Sequence, residues 1–204
     1  LKLLELFCGT KSVSKIFKAN GWDVVTVDFD KQFNPDICAD ILLLDFTEFF
    51  DVVWASPPCT TFSVASVGKH WKEGNPSKEA VVGNKILGKT LEIINLVRPT
   101  YWFIENPRGM MRTLPIMKSL PKKTVTYCQY GDIRMKPTDI WTNCNAWNPK
   151  PACYNGDSCH ESAPRGSRTG TQGINGAKFR SVIPEQLCQE VFDVVNCMCL
   201  TKNK

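Results

Sequence analysis

The sequence predicts an α/β fold built on one open, mostly parallel sheet, and three observations carry that prediction. Short apolar runs recur at residues 1–7, 22–27, 51–55 and 101–104. Apolar residues at helical spacing occupy 12–20 and 78–97 between them. Reactive and acidic side chains stand just past the carboxyl ends of the runs, the edge where open α/β sheets hold their ligands.

Residues 1–7 read as a buried strand, and Cys8-Gly9-Thr10-Lys11-Ser12 as the turn after it. Val13, Ile16 and Phe17 repeat at helical spacing over 12–20, and Gly21 ends that helix. Residues 22–27 form a second strand finishing on Asp28, so the unit is strand, helix, strand, and the pairing is parallel. Residues 51–55 are the next strand, and 78–97 a long helix stopped by Pro99. Residues 101–104 are a strand leading into Glu105-Asn106-Pro107, and 124–128 and 139–141 are the last strands. The stretch 143–176 breaks the pattern, being rich in Gly, Pro, Asn, Ser and Cys with almost no apolar periodicity. A helix over 184–200, opened by Pro184, closes the chain. The expected organisation is a core over 1–142, a short irregular insert over 143–177, and a C-terminal helical segment over 178–204 that returns to the core.

A chain of 204 residues suffices for one such domain with a real core. At 43% hydrophobic and 22% charged it is ordinary globular protein rather than a disordered chain. No run approaches membrane-spanning length and no signal peptide is visible, so no membrane partner and a cytoplasmic location are expected. A net charge of +5 is compatible with a polyanionic partner but does not select one. Ten cysteines could mean a secreted disulfide scaffold. However, Cys8, Cys38, Cys59, Cys128, Cys188, Cys197 and Cys199 lie in or beside apolar segments, which fits reduced, buried thiols in an intracellular protein better.

Cys59 follows Pro57-Pro58 at the end of an apolar run. Two prolines fix the backbone before the thiol, as suits a nucleophile held in place; a core cysteine is the plainer alternative. Asp28 stands where a carboxylate can accept hydrogen bonds from ribose hydroxyls, or simply be solvated. Only Gly9 is available in the first turn, so a pyrophosphate cradle is disfavoured and a nucleoside cofactor without phosphates fits better. Glu105, between a buried strand and a proline turn, is costly there unless it is hydrogen-bonded or used as a proton donor.

These residues stand in an order that resembles the DNA cytosine-5 methyltransferases. Leu3-Leu4-Glu5-Leu6-Phe7-Cys8-Gly9 is similar to their first motif, and Asp28-Phe29 to the acid and aromatic pair for ribose and adenine. Ala39-Asp40-Ile41 resembles the next motif, Pro57-Pro58-Cys59-Thr60-Thr61-Phe62-Ser63 the nucleophile motif, and Glu105-Asn106-Pro107 its partner. Gln129-Tyr130-Gly131 and Ile183-Pro184 resemble the later motifs. Arg108-Gly109-Met110 and Pro164-Arg165-Gly166-Ser167-Arg168-Thr169-Gly170 look most like compact phage and prophage members.

The resemblance implies a Rossmann-like, S-adenosylmethionine-dependent methyltransferase fold acting on double-stranded DNA. It implies Cys59 as the nucleophile toward cytosine C6 and Glu105 as the group facing N3. It implies Phe7, Cys8, Gly9, Asp28, Phe29, Asp40, Ile41, Pro57, Ser181 and Ile183 as cofactor residues. A monomer is expected, and a cognate restriction enzyme and a bacterial or phage setting belong to the same expectation. Action on tRNA and a catalytically dead DNA-binding homologue stand as alternatives.

The chain also departs from the family pattern. The arginine that reaches the target base meets Thr138, leaving Arg134 or Lys136 to take its role. The usual Gly-Asn pair falls on Arg180-Ser181.

The insert would carry target recognition, with Lys150, Arg165, Arg168 and Lys178 following phosphates. Being short, it can read few bases. It also holds Cys144, Cys153, Cys159 and His160. Three thiols and an imidazole in a segment without a core can be tied by zinc, although adjacent ligands at 159 and 160 are awkward. Unliganded thiols are the open alternative.

Overall fold

The computed structural model describes residues 1–161 and 177–202. The chain opens with β1 (Lys2–Leu6), α1 (Ser12–Ala19), β2 (Asp23–Asp28), β3 (Ile37–Cys38) and β4 (Val52–Ala55). A short helix α2 (Val67–His70) and a small hairpin of β5 (Trp71–Lys72) and β6 (Asn75–Pro76) come next. Then come α3 (Lys78–Val97), β7 (Tyr101–Pro107), α4 (Pro115–Lys118), β8 (Lys122–Thr126) and β9 (Pro137–Thr142). After the insert, α5 (Ala177–Ser181) and α6 (Glu185–Lys202) complete the described chain.

The main sheet has seven strands in the order β3-β2-β1-β4-β7-β9-β8. All pairings from β3 to β7 are parallel, and β9 runs antiparallel to both of its neighbours. The chain builds outward from β1 through β2 to β3, then returns to the other side of β1 with β4. The switch point therefore falls between β1 and β4, and a crevice opens outside their carboxyl ends.

The reversed strand has a further consequence. Pro107 at the end of β7 pairs with Thr138 at the start of β9. The residues leading into β9 thus arrive at the same edge of the sheet as the ends of β4 and β7.

Alternating side chains divide the core into two layers. Leu3, Val52, Trp54 and Phe103 pack on one face with α1 and α6 residues such as Phe17, Leu187 and Val191. Leu4, Leu6, Val53, Ala55 and Ile104 pack on the other with Leu87, Ile93 and Val97 of α3. The predicted helix over 78–97 is realised, with Ser77 capping it through a hydrogen bond accepted from Ala80 N–H. The predicted runs at 124–128 and 139–141 shift at their ends: β8 stops at Thr126, and β9 begins earlier, at Pro137. Cys38 and Cys197 are exposed rather than buried, and none of the described cysteines is in a disulfide.

Glu5 is the one acidic side chain on β1 and is fully buried. Lys11 at the start of α1 supplies no side-chain cap. Glu5 Oε2 accepts the Ser14 N–H at 3.0 Å instead, so the strand caps the helix beside it. Burial pushes the Glu5 carboxyl up from its ordinary value of 4.5 to about 7. A raised folded-state value means that the protonated form is the one the fold favours. The contribution is fully present below the unfolded value and is lost as pH rises through about 7. Glu5→Gln keeps the acceptor and removes the buried charge. It is expected to stabilise the chain by about 3 kcal/mol at mildly alkaline pH and by little at acid pH. Urea unfolding at both pH values checks this, and an equal gain at both contradicts it.

Candidate active site

Pro57 is buried and Pro58 exposed, so the chain turns outward between them. Cys59 follows, with its carbonyl accepting from Phe62 N–H at 3.0 Å and Ser63 N–H at 2.9 Å. This tight loop is pinned from two sides. Phe62 is buried in the α3 layer of the core, and its carbonyl accepts the Met110 N–H. A Cβ on Gly109 would lie 2.2 Å from that carbonyl oxygen, so only glycine allows the segment that follows β7 to meet the loop this closely. Asn106 Nδ2 donates to the Pro57 carbonyl at 2.8 Å and ties the end of β7 to the end of β4.

Glu105, one residue before that tie, is buried, and its Oε1 accepts a 3.0 Å hydrogen bond from Tyr127 Oη. Burial and the Glu105 charge both push the Tyr127 phenol well above its ordinary value, so it remains a hydroxyl donor. Neither Tyr127 nor Asn106 was expected from the sequence. Tyr127 lies inside a run with strand character, and Asn106 stands in the Glu105-Asn106-Pro107 motif without a role of its own.

Of the two cations offered as replacements for the missing arginine, the structure separates one from the other. Arg134 is committed to Asp132, with Nε 2.8 Å and 3.0 Å from the two carboxylate oxygens, and it donates to the Phe179 carbonyl. Lys136 is also buried, but among the described residues no carboxylate is bonded to it. Its Nζ donates to the Arg180 carbonyl at 2.8 Å and lies 4.4 Å from the Tyr127 ring centre. Burial holds the Lys136 ammonium below its ordinary value, while the charges of Glu105 and Cys59 draw it back up. For Cys59, burial raises the thiol, the Glu105 charge raises it further, and Lys136 and Arg180 lower it. Thiol, carboxylate and ammonium thus form one electrostatic unit. Thr138, which stands where the base-contacting arginine was expected, is fully buried and donates to the Lys136 carbonyl.

Beside this unit, at the switch point, is a cavity of about 270 Å³. Phe7, Asp28, Phe29, Asp40 and Ile41 line it, together with Val27, Ala39, Pro58 and Ile86. Pro58 takes the place foreseen for Pro57, because Pro57 is turned into the fold. Cys8 is buried away from the cavity, and desolvation pushes its thiol up to about 12. Gly9 acts indirectly: its N–H donates to Asp28 Oδ2 at 2.9 Å and orients the carboxylate. Ile183 and Ser181 do not line the cavity either; Ile183 N–H donates to Ser12 Oγ at 3.2 Å, bringing the last motif against the start of α1.

Cys153, Cys159 and His160 come together, but Cys144 does not join them. It is buried in the core layer with Trp147, Leu187 and Cys188, and just past β9 its N–H donates to Thr142 Oγ1 at 3.0 Å. Cys128 takes its place. Lys150 is exposed; its Nζ donates to the Gln129 carbonyl at 3.0 Å and lies 4.9 Å from the Tyr130 ring centre. Arg165 and Arg168 lie outside the described residues, and Lys178 falls within α5.

An open sheet with a switch-point cavity, no phosphate cradle, and its reactive groups on the neighbouring strand ends has the architecture of the α/β methyltransferases. Comparison narrows the class. Residues 1–116 match the family described as C-5 cytosine-specific DNA methylase. A relative from Frog virus 3 (isolate Goorha), named "Probable DNA (cytosine-5)-methyltransferase", is 32% identical over 220 residues, covering 95% of this chain and 100% of its own. The chain belongs to the C-5 cytosine-specific DNA methylases.

Among solved structures, a DNA modification methyltransferase encoded within an E. coli prophage aligns with a TM-score of 0.51 at 16% identity. The alignment covers 70% of this chain and 46% of that one, and the likeness is one of fold. The S. pombe Dnmt2 methyltransferase aligns with a TM-score of 0.46 at 14% identity, over 70% and 48% of the two chains. The chain spans less than half the length of either solved structure. Among the described residues, no helix is long and apolar enough to cross a membrane.

Proposed function

We propose that the chain methylates C5 of a cytosine flipped out of double-stranded DNA, using S-adenosylmethionine as donor and a transient bond between Cys59 Sγ and cytosine C6. The observation that carries this reading is the convergence of three chain segments beside the switch-point cavity: Asn106 ties the Glu105 strand to the Cys59 loop, and Tyr127 bonds Glu105 while Lys136 lies over its ring.

The residues of the cavity suit the donor. Phe29 is 73% exposed at the rim, an uncovered aromatic face on which an adenine can stack. Each Asp28 oxygen already accepts one backbone N–H, from Gly9 or Asp30, and keeps a lone pair for a ribose hydroxyl. When bound, the cofactor supplies a methyl group on a positively charged sulfur.

The protein's own groups account for the rest. The Cys59 thiolate adds to electron-poor C6, and the electron pair displaced from the C5–C6 double bond builds negative charge over the ring. The Glu105 carboxyl meets N3 and shares a proton with it as that charge builds, and Lys136 adds positive charge close by. C5, now enamine-like, takes the methyl group. The C5 proton then leaves to a base, the double bond re-forms, and the thiolate departs. A base inside a duplex cannot reach Cys59, so flipping is required.

Lys136 holds the thiol down while burial holds it up, so transfer is expected to accelerate with rising pH as the thiolate fraction grows. Lys136→Met should move that rising limb to higher pH and lower the neutral-pH rate on the order of 10²-fold. Single-turnover rates across the range check this, and an unmoved limb contradicts it. Incubation with labelled cofactor and duplex DNA, duplex RNA or tRNA tests the function itself. Label at cytosine C5 of duplex DNA is expected. Label in tRNA alone overturns the substrate, and no label in any of the three overturns the enzyme.

A further inference from the structure

We propose that Cys128, Cys153, Cys159 and His160 form a closed structural zinc site that fastens the insert to the catalytic core. Their ligand atoms all lie within 4.8 Å of one another. Cys128 Sγ is 3.1 Å from Cys153 Sγ and 3.6 Å from Cys159 Sγ. His160 Nδ1 is 3.7 Å from Cys153 Sγ and 3.5 Å from Cys159 Sγ. Around a tetrahedral ion with zinc–sulfur bonds near 2.3 Å, ligand atoms stand roughly 3.5–3.8 Å apart, so most of these distances need no rearrangement. The 3.1 Å pair is far from the roughly 2.05 Å of a disulfide and opens slightly when an ion enters.

The surroundings are those of a metal centre rather than of core thiols. Gln129 Nε2 approaches Cys159 Sγ at 3.5 Å, a donor that favours thiolate. Cys153 N–H bonds Thr126 Oγ1 at 3.0 Å, and Glu161 N–H bonds the Ile133 carbonyl at 2.9 Å, so backbone contacts flank the ligands on both sides. Adjacent ligands at 159 and 160 are workable because the imidazole turns Nδ1 inward. Coordination through Nδ1 leaves the ring proton on Nε2; the 3.5 Å approach of Gly156 N–H to Nε2 belongs to the metal-free ring.

Three thiolates and a neutral imidazole match borderline-soft zinc and leave no open position, which makes the site structural rather than catalytic. Binding releases the thiol protons to solvent. Cys128 is the ligand from the core, and its neighbour Tyr127 bonds Glu105. The ion therefore links the insert to the segment that steadies the catalytic carboxyl.

The test uses the full chain, reduced and freed of metal, and titrated with zinc against a chromophoric competitor. One equivalent is expected. Cys128→Ser and Cys159→Ser should each weaken it at least ~100-fold, and Cys144→Ser should leave it unchanged. Since a ligand variant can misfold, X-ray absorption on the zinc-loaded wild type gives an independent reading. It should show three sulfurs at about 2.3 Å and one nitrogen at about 2.0 Å. No zinc bound by the reduced chain, a different shell, or loss through Cys144→Ser with retention in Cys128→Ser overturns the site. So does a Cys128–Cys153 disulfide in freshly isolated protein. None of these readouts depends on methyl transfer, so the site and the enzyme reading stand or fall separately.

Discussion

Cys59→Ala is expected to lower methyl transfer by at least ~10⁴-fold while leaving the fold and cofactor binding intact. The size of the loss follows from the substrate. C5 of cytosine does not react with a methyl donor until a nucleophile has been added at C6, so the thiol enables the step rather than assisting it. The fold should survive because the loop holding Cys59 is secured by other groups. Its backbone turn, the buried Phe62 ring, the contact at Gly109 and the Asn106 hydrogen bond to Pro57 all remain in the variant. Radiolabel transfer beside a binding titration with the cofactor separates the two effects. Substantial transfer by the variant sinks Cys59 as nucleophile.

Glu105→Ala is expected to cost about 10³-fold, chiefly in kcat, with Glu105→Gln falling between it and the wild type. The carboxyl is placed to meet charge that exists only once the thiolate has added, so its worth is realised after binding. An amide can still donate a hydrogen bond but cannot hand over a proton, hence the intermediate value. Either change alters the partner of Tyr127. Alanine takes away the carboxylate acceptor of that buried hydroxyl, at a stability cost of about 1–3 kcal/mol, whereas glutamine still accepts from it. Comparing the two variants therefore separates chemistry from packing. Equal and near-wild-type turnover in both contradicts the assignment.

Much of this site is legible in the sequence because strands end abruptly. Asp28, Cys59 and Glu105 each follow an apolar run, and a parallel sheet brings such ends to one edge. Of the cavity residues, Asp28 is read from its strand end, whereas Phe7, Phe29, Asp40 and Ile41 are named only through the family resemblance. What was hidden depends on geometry across the sheet. Lys136 gains its position from the reversal of β9, and no local pattern announces a single antiparallel strand in a parallel sheet. Cys128 and Cys153 are 25 residues apart, and they meet only because the insert folds back on the segment that follows β8. Cys144 looked like a ligand by composition, yet it is held by the core. The order of Pro57 and Pro58 at the cavity likewise follows from which way the chain turns, which two adjacent prolines do not specify.

The covalent step is the centre of the account, and it can be caught. In a duplex carrying 5-fluorocytosine at the target position, C5 bears fluorine instead of a removable proton. After methyl transfer the elimination cannot proceed, and the protein stays bonded to C6. Denaturing electrophoresis followed by peptide mapping should then find the base linked to the peptide containing Cys59, dependent on cofactor and absent from Cys59→Ala. A cofactor-dependent link to any other residue, or normal release of a methylated fluorinated product, contradicts the mechanism.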